Sequence, residues 1–205
     1  MNEIKQLLLI RHGATDWNVT GRRNSFTDIS MNEGGLTEVT KLAEYLKLAF
    51  PEAKVWASPA KRAQETATII ANALVTSFET IPDATEVNFG RFEGKTPEEL
   101  DVEPEAIHYR AWENGELVEG VESLDEAAHR AKRVFDEITS SKNANHDILI
   151  SHGAFIRVLI CVMAIHASPA SYPNLLMDNG SISILRITKK RIRLSQLNNK
   201  CYLIR

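Results

Sequence analysis

At 205 residues the chain is long enough for one sizeable core, and one compact domain with an insertion is expected rather than two. Its 43% hydrophobic and 25% charged residues are those of an ordinary water-soluble protein. A net charge of −3 and a pI near 6.1 exclude a nucleic-acid or anionic-membrane surface, so an anion must find a local basic pocket.

The start, residues 1–6, is polar and lacks the apolar core of a signal peptide. A first strand is expected where Leu7-Leu8-Leu9-Ile10 gives way to Arg11-His12-Gly13. Residues 13–34 are polar without periodicity, and so long a loop in a compact domain usually carries function. Leu36, Val39, Leu42, Ala43, Leu46 and Phe50 then recur at helical spacing. Residues 54–57 read as a short strand, and Ser58-Pro59 as an N-cap and a first-turn proline for a helix to about residue 73. Residues 76–81 read as another strand.

From residue 87 to 122 the chain has no long apolar strand, and it reads as an insertion covering the end of the sheet. Thr96-Pro97-Glu98-Glu99 is a capping box for a short helix within it. Ser123 to Glu126 is a second capping box, for a helix whose face carries Leu124, Ala127, Ala128, Ala131, Val134, Phe135 and Ile138. There follow a strand ending at Ser151, an apolar helix from Ala154, and strands near residues 181–187 and 191–197. The longest apolar run, residues 158–165, is too short to cross a bilayer. Cys161 and Cys201 form no disulfide framework and suggest a reducing compartment, so a cytoplasmic location is expected. Alternating strands and helices imply a three-layer α/β/α sandwich with a mostly parallel central sheet.

Two strings in this pattern are near copies: Leu9-Ile10-Arg11-His12-Gly13 and Leu149-Ile150-Ser151-His152-Gly153. Ligands of open α/β sheets sit beyond the carboxyl ends of the parallel strands. Two histidines at two such ends can therefore meet over one pocket, although 140 residues separate them. Thr15 and Asn18 offer a hydroxyl and an amide suited to phosphate oxygens. Arg62 lies in the first turn of a helix, where backbone N–H groups and the dipole favour anions. Arg11 and Arg62 together suit a bidentate clamp on a phosphoryl group.

The run from Leu8 to Asn18, LLIRHGATDWN, resembles the signature of the histidine phosphatase superfamily, the phosphoglycerate-mutase-like fold. Gly21-Arg22, Thr27-Asp28, Gly35-Leu36, Ser58-Pro59, Arg62-Ala63, Glu86 with Phe92-Glu93-Gly94, Glu122-Ser123, Ser151-His152-Gly153 with Arg157, and Asn179-Gly180-Ser181 extend the likeness along nearly the whole chain. The resemblance implies a small phosphatase, similar to alpha-ribazole and broad-specificity phosphatases. His12 is then the nucleophile that becomes a phosphohistidine. Arg11, Arg62 and His152 surround the transferred oxygens, with His152 protonated beside a bound dianion. Glu86 is the general acid and later the base. Thr15, Asn18, Arg22, Gly153 and Ala154 are the expected phosphate contacts. Glu93 is read as structural, tying the loop to a basic neighbour. Two departures, Asn24-Ser25 for the frequent Gln-Gly and Val121-Glu122-Ser123 for Gly-Glu-Ser, flank the leaving-group side.

A metallohydrolase is the natural rival, with Asp16, Asp28 and Glu86 beside the histidines. Two arginines in one pocket repel a cation, and no His-x-His or His-x-x-x-His spacing is present, so no metal or other cofactor is expected. A non-catalytic phospho-ligand binding module is a second alternative. A bisphosphoglycerate-dependent phosphoglycerate mutase is a third; its Arg-Arg-Ser-Tyr-Asp stretch is missing from the acidic insertion. The expected substrate is a small monophosphate such as a sugar, nucleotide or ribazole phosphate, with no nucleic-acid or membrane partner and a homodimer left open. Trp17, Trp112, His108, Tyr109 and Arg110 are weaker candidates for contact with the leaving group.

Overall fold

The computed structural model describes residues 5–140 and 145–203; residues 1–4 of the polar start lie outside them. The chain alternates β1 (Lys5–Arg11), α1 (Asp16–Val19), α2 (Glu33–Ala49), β2 (Lys54–Ala57), α3 (Lys61–Leu74) and β3 (Phe78–Thr80). Then come α4 (Pro97–Leu100), α5 (Glu105–Glu113), α6 (Leu124–Ser140), β4 (His146–Ser151), α7 (Gly153–Ile160), β5 (Ile182–Thr188) and β6 (Arg191–Asn199).

The six strands form one sheet in the order β3-β2-β4-β1-β5-β6. β3, β2, β4 and β1 are mutually parallel, and β5 and β6 complete the sheet antiparallel. The apolar runs of β1 and β4 are continuous rather than alternating because helices cover both faces of the sheet. Leu8, Ile10, Ile148 and Ile150 meet Val39, Leu42, Leu46 and Ile70 of α2 and α3. Leu7, Leu9 and Leu149 meet Val134, Phe135, Ile138, Phe155 and Leu159 of α6 and α7 on the other face. Each such side chain, fully buried, contributes about 1.5–3 kcal/mol. The expected α/β/α sandwich is what forms.

Residues 87–122 contribute no strand. Their Val87, Phe89, Phe92, Leu100, Tyr109 and Trp112 make a third apolar cluster against Leu124, Ala154 and Val158. Both capping boxes form, Thr96 with Glu99 and Ser123 with Glu126.

Two local expectations change. The polar stretch after β1 contains the one-turn helix α1, closed by a capping box between Thr15 and Asn18. Ser58 is not the cap of α3, which starts three residues later without a side-chain bond from its own N-cap, Ala60. Asp28 arrives from the preceding loop to accept the Lys61 N–H at 2.8 Å. The Ser58 hydroxyl is engaged elsewhere, by a histidine.

Candidate active site

β1 and β4 are neighbours, and their near-copied strings pair position for position: Leu9 with Leu149, Ile10 with Ile150, Arg11 with Ser151. The ladder continues one step further, the His12 N–H donating to Ser151 O at 3.0 Å. His12 and His152 therefore emerge side by side, with ring centroids 5.1 Å apart. Both are buried.

The hydrogen bonds fix both tautomers. His12 Nδ1 lies 2.8 Å from the carbonyl of Gly13, an acceptor, so Nδ1 carries the proton. Its Nε2 then holds a lone pair, which accepts from Arg62 Nε at 3.2 Å. His152 Nδ1 accepts from the second arm of Arg62 at 3.1 Å, so its Nε2 donates to the Ser58 hydroxyl at 2.7 Å. One buried guanidinium thus holds both imidazoles, and it also donates to the carbonyls of Asn24, Ser25 and Thr27.

Burial, then Arg62 and Arg11, holds the His12 pKa well below the ordinary imidazole value; burial, Arg62 and His12 do the same to His152. The site as it stands therefore contains two neutral imidazoles. Burial also lowers the arginines: Arg11 to about 10, still charged near neutrality, and Arg62 against the opposing pull of Glu86, Glu93 and Asp28.

This arrangement sets a pH dependence of stability. In the unfolded chain each histidine takes up a proton near pH 6.5. The folded chain takes none until well below that. Below about pH 6.5 the unfolded state thus binds up to two more protons, and stability falls as pH drops, by up to about 2.7 kcal/mol per pH unit from this pair. Urea unfolding from about pH 7.5 to 5 checks this. His152→Gln should remove about half of the slope, and a slope insensitive to the substitution would contradict the assignment.

Above His12 lies a cavity of about 70 Å³ lined by Arg11, His12, Asn18, Arg22, Arg23, Asn24, Glu86 and Phe89. Arg11 donates to the Met177 carbonyl at 2.7 Å but leaves its buried Nε without a partner. Gly153 permits this placement, since a Cβ there would stand 3.3 Å from Arg11 Nε. Asn18 Oδ1 accepts from Thr15 N–H and from Asn179 Nδ2, which orients its amide NH2 group away from both. Asn179 also donates to His12 O, a bracing role the sequence leaves unassigned. Both amide atoms of Asn24 are buried and unpartnered.

Glu86 faces the same cavity. Its Oε1 accepts from the Val87 and Phe155 N–H groups at 2.9 and 2.8 Å, and Oε2 from Ala154 N–H at 3.1 Å. The carboxyl group thereby caps α7, a favourable place for negative charge.

Of the residues singled out from sequence, Arg11, His12, Asn18, Arg22 and Glu86 line the cavity, and Arg62 and His152 join them through the bonds of Arg62 to both imidazoles. Thr15 does not line it, because its hydroxyl serves the α1 capping box. The Ala154 amide is bound to Glu86. Glu93 ties down the loop through Ser25 and Thr27 rather than through a basic partner. Burial pushes its pKa up, but those bonds outweigh burial and bring it down. Trp112 is core, His108 is half-buried with its Nδ1 against Pro104 O, and Tyr109 meets Arg23 at 2.9 Å. Sequence reading misses Arg23 and the Ser58–His152 bond. Among the described residues no three His, Cys, Asp or Glu side chains are grouped to hold a metal ion, and no helix is long and apolar enough to cross a membrane.

Known proteins share this arrangement of chain. A metal-independent phosphoserine phosphatase of Arabidopsis thaliana is 27% identical over 93% of this chain and 79% of its own. Among solved structures, a histidine-to-alanine mutant of phosphoserine phosphatase from Entamoeba histolytica, in complex with phosphoserine, superposes with a TM-score of 0.84. It is 27% identical and aligns over 97% of this chain and 99% of its own. The alpha-ribazole phosphatase of Shigella flexneri gives a TM-score of 0.82 at 25% identity, over 95% of this chain and 96% of its own. The profile of the histidine phosphatase superfamily (branch 1) matches residues 7–200, and the chain belongs to that superfamily.

Proposed function

We propose that the protein is a metal-independent phosphomonoesterase that works through a phosphohistidine on Nε2 of His12. The observation that carries this reading is a neutral imidazole with its Nε2 lone pair beneath a cavity walled by arginines. An uncharged imidazole is a competent nucleophile near neutral pH. When a phosphoryl group enters, the Nε–H of Arg62 passes from His12 Nε2 to a phosphate oxygen, and the unpartnered Nε–H of Arg11 takes another. Nε2 attacks phosphorus, the P–O bond to the leaving group breaks, and the alkoxide takes a proton from Glu86. Of the two carboxyl oxygens, Oε1 already accepts two N–H bonds, whereas Oε2 accepts one and keeps a lone pair for that proton. Water then gives a proton back to Glu86 as it attacks phosphorus, and the P–N bond breaks to release phosphate and free His12.

A cavity of about 70 Å³ holds little more than the phosphoryl group, so the leaving group must pass Arg22, Arg23 and Asn24. Arg22 gives one nitrogen to Gly94 O and, at 3.4 Å, to Glu99, and Arg23 gives Nε to Tyr109 and one terminal nitrogen to Gly21 O. Their remaining N–H groups suit a carboxylate. Arg23 also borders a groove of about 460 Å³ in which Asp101 is paired with Arg110, and the other two carboxylates, Glu98 and Glu113, suit an ammonium. A phosphorylated hydroxy or amino acid therefore fits better than the sugar, nucleotide or ribazole phosphate expected from sequence, and phosphoserine phosphatases stand among the similar proteins.

Phosphate release in the presence of EDTA is the test, comparing phosphoserine with glycerol phosphate. The expected result is turnover of both, with higher kcat/KM for phosphoserine, and a roughly tenfold loss of that preference in Arg23→Leu, as for one charge-assisted hydrogen bond. A phosphoserine that binds without turnover would favour the binding-module alternative, and equal kcat/KM would overturn the carboxylate subsite.

A further inference from the structure

Glu86 lies just after a single 3-10 turn, Pro82–Ala84, and a segment so short must find partners for its backbone outside itself. Four consecutive carbonyls, those of Asp83, Ala84, Thr85 and Glu86, all accept from side chains of the surrounding helices and sheet. Ser151, the residue before His152, takes Ala84 O at 2.7 Å. Arg130, on α6, takes the other three, at 2.7 Å to Asp83 O, 2.7 Å to Thr85 O and 3.3 Å to Glu86 O. Its other two N–H groups form a bidentate pair with Glu122, at 2.9 and 2.8 Å. All five guanidinium N–H groups are thereby satisfied. The cation also lies over the ring of Phe155, 4.8 Å from its centre, and Phe155 supplies one of the N–H groups that bind the Glu86 carboxylate. Glu122 in turn accepts from Asn88 N–H at 2.9 Å and returns its own N–H to Asn88 O. The main chain is gripped on both sides of Glu86.

We propose that Arg130, locked by Glu122, is a positioning residue for proton transfer: it sets the place of the Glu86 carboxyl group over the leaving-group oxygen without touching substrate. The inference rests on the reading of Glu86 as general acid. Lysine can substitute only in part, because it offers three donors from one point where a planar fork of five is used.

Leaving-group dependence separates positioning from plain structural support. Nitrophenolate departs without a proton, whereas the alkoxide of glycerol phosphate needs one. For both substrates kcat/KM covers only the steps up to the phosphohistidine, so the later hydrolysis does not enter. Glu86→Gln is the reference variant. It should lower kcat/KM on glycerol phosphate by on the order of 10²–10⁴ and affect p-nitrophenyl phosphate far less. Arg130→Met is expected to reproduce that bias, with at least a tenfold larger loss on the alkyl ester. Arg130→Lys should show it in weaker form, and it keeps the test readable if Arg130→Met does not fold. The double variant should be no more biased than Glu86→Gln alone. Arg133→Ala, which frees Asp83 from its exposed ion pair on the same helix, should leave both substrates unchanged. If Glu86→Gln shows the bias but both Arg130 variants lose the two substrates equally, Arg130 is only structural and the proposal falls. Should Glu86→Gln show no bias, the reading of Glu86 falls, and this inference with it.

Discussion

Alanine at position 12 is expected to lower phosphomonoester hydrolysis by about four orders of magnitude or more, the scale seen when a nucleophile that works within a catalytic unit is removed. The substitution removes the one lone pair that faces the cavity floor, and no second nucleophile replaces it. His152 does not line the cavity, and its Nε2 carries a proton toward Ser58. The wild-type protein, quenched during turnover of a labelled monoester, should hold acid-labile, alkali-stable phosphate. His12→Ala should hold none, whereas His152→Ala should still acquire the label slowly. A His12→Ala protein with a tenth of wild-type activity, or with the same label, would sink the mechanism.

Arg62→Met should be nearly as damaging, and in two separable ways. Catalytically it deletes the cation between the two imidazoles, a loss expected to cost roughly 10³-fold or more in kcat/KM. Structurally it strips donors from His12 Nε2, His152 Nδ1 and the carbonyls of Asn24, Ser25 and Thr27. A buried acceptor left unpaired costs about 1–3 kcal/mol, and breaking a buried charged network about 3–5 kcal/mol in all, since the loop can relax toward water. Because Arg62 is the leading electrostatic cause of both depressed imidazole pKa values, its removal should also move both titrations toward 6.5. Thermal unfolding reads the first consequence and imidazole chemical shifts against pH the second. Arg62→Lys should restore little, because an ammonium cannot span two rings and three carbonyls. Activity within tenfold of wild type and unmoved titrations would refute this account.

Much of this site was legible before any coordinates. The strands announce themselves because burial on both faces demands unbroken aliphatic runs, and the repeated His-Gly at two strand ends places two imidazoles at one end of the sheet. What stayed hidden involves partners chosen in three dimensions. Ser58-Pro59 carries every local sign of a cap, yet Asp28 from a distant loop caps α3 and leaves Ser58 to His152. Thr15 has a hydroxyl near the nucleophile in sequence, but the local pull of a capping box claims it. Arg130 looks like any arginine on the polar side of an amphipathic helix, since nothing in its neighbours reveals the carbonyls of residues 83–86. Arg23 likewise gains meaning only when the loop carries it back beside Tyr109.

The strand order has a consequence for how the molecule is made. β1 comes first in the chain, yet its only neighbours in the sheet are β4 and β5, which begin at residues 146 and 182. While roughly the first 140 residues are being synthesised, β1 has no edge to join, and β4, the strand that fits between β1 and β2, does not yet exist. Pairing ends so distant in sequence carries a loop-closure cost that must be met before the contacts repay it, so this step is slow. The two histidines meet only when that gap closes. Recovery of catalytic activity during refolding therefore times the insertion of the central strand, and the newly made amino-terminal half has no helix to cover Leu7 and Leu9 until α6 and α7 follow.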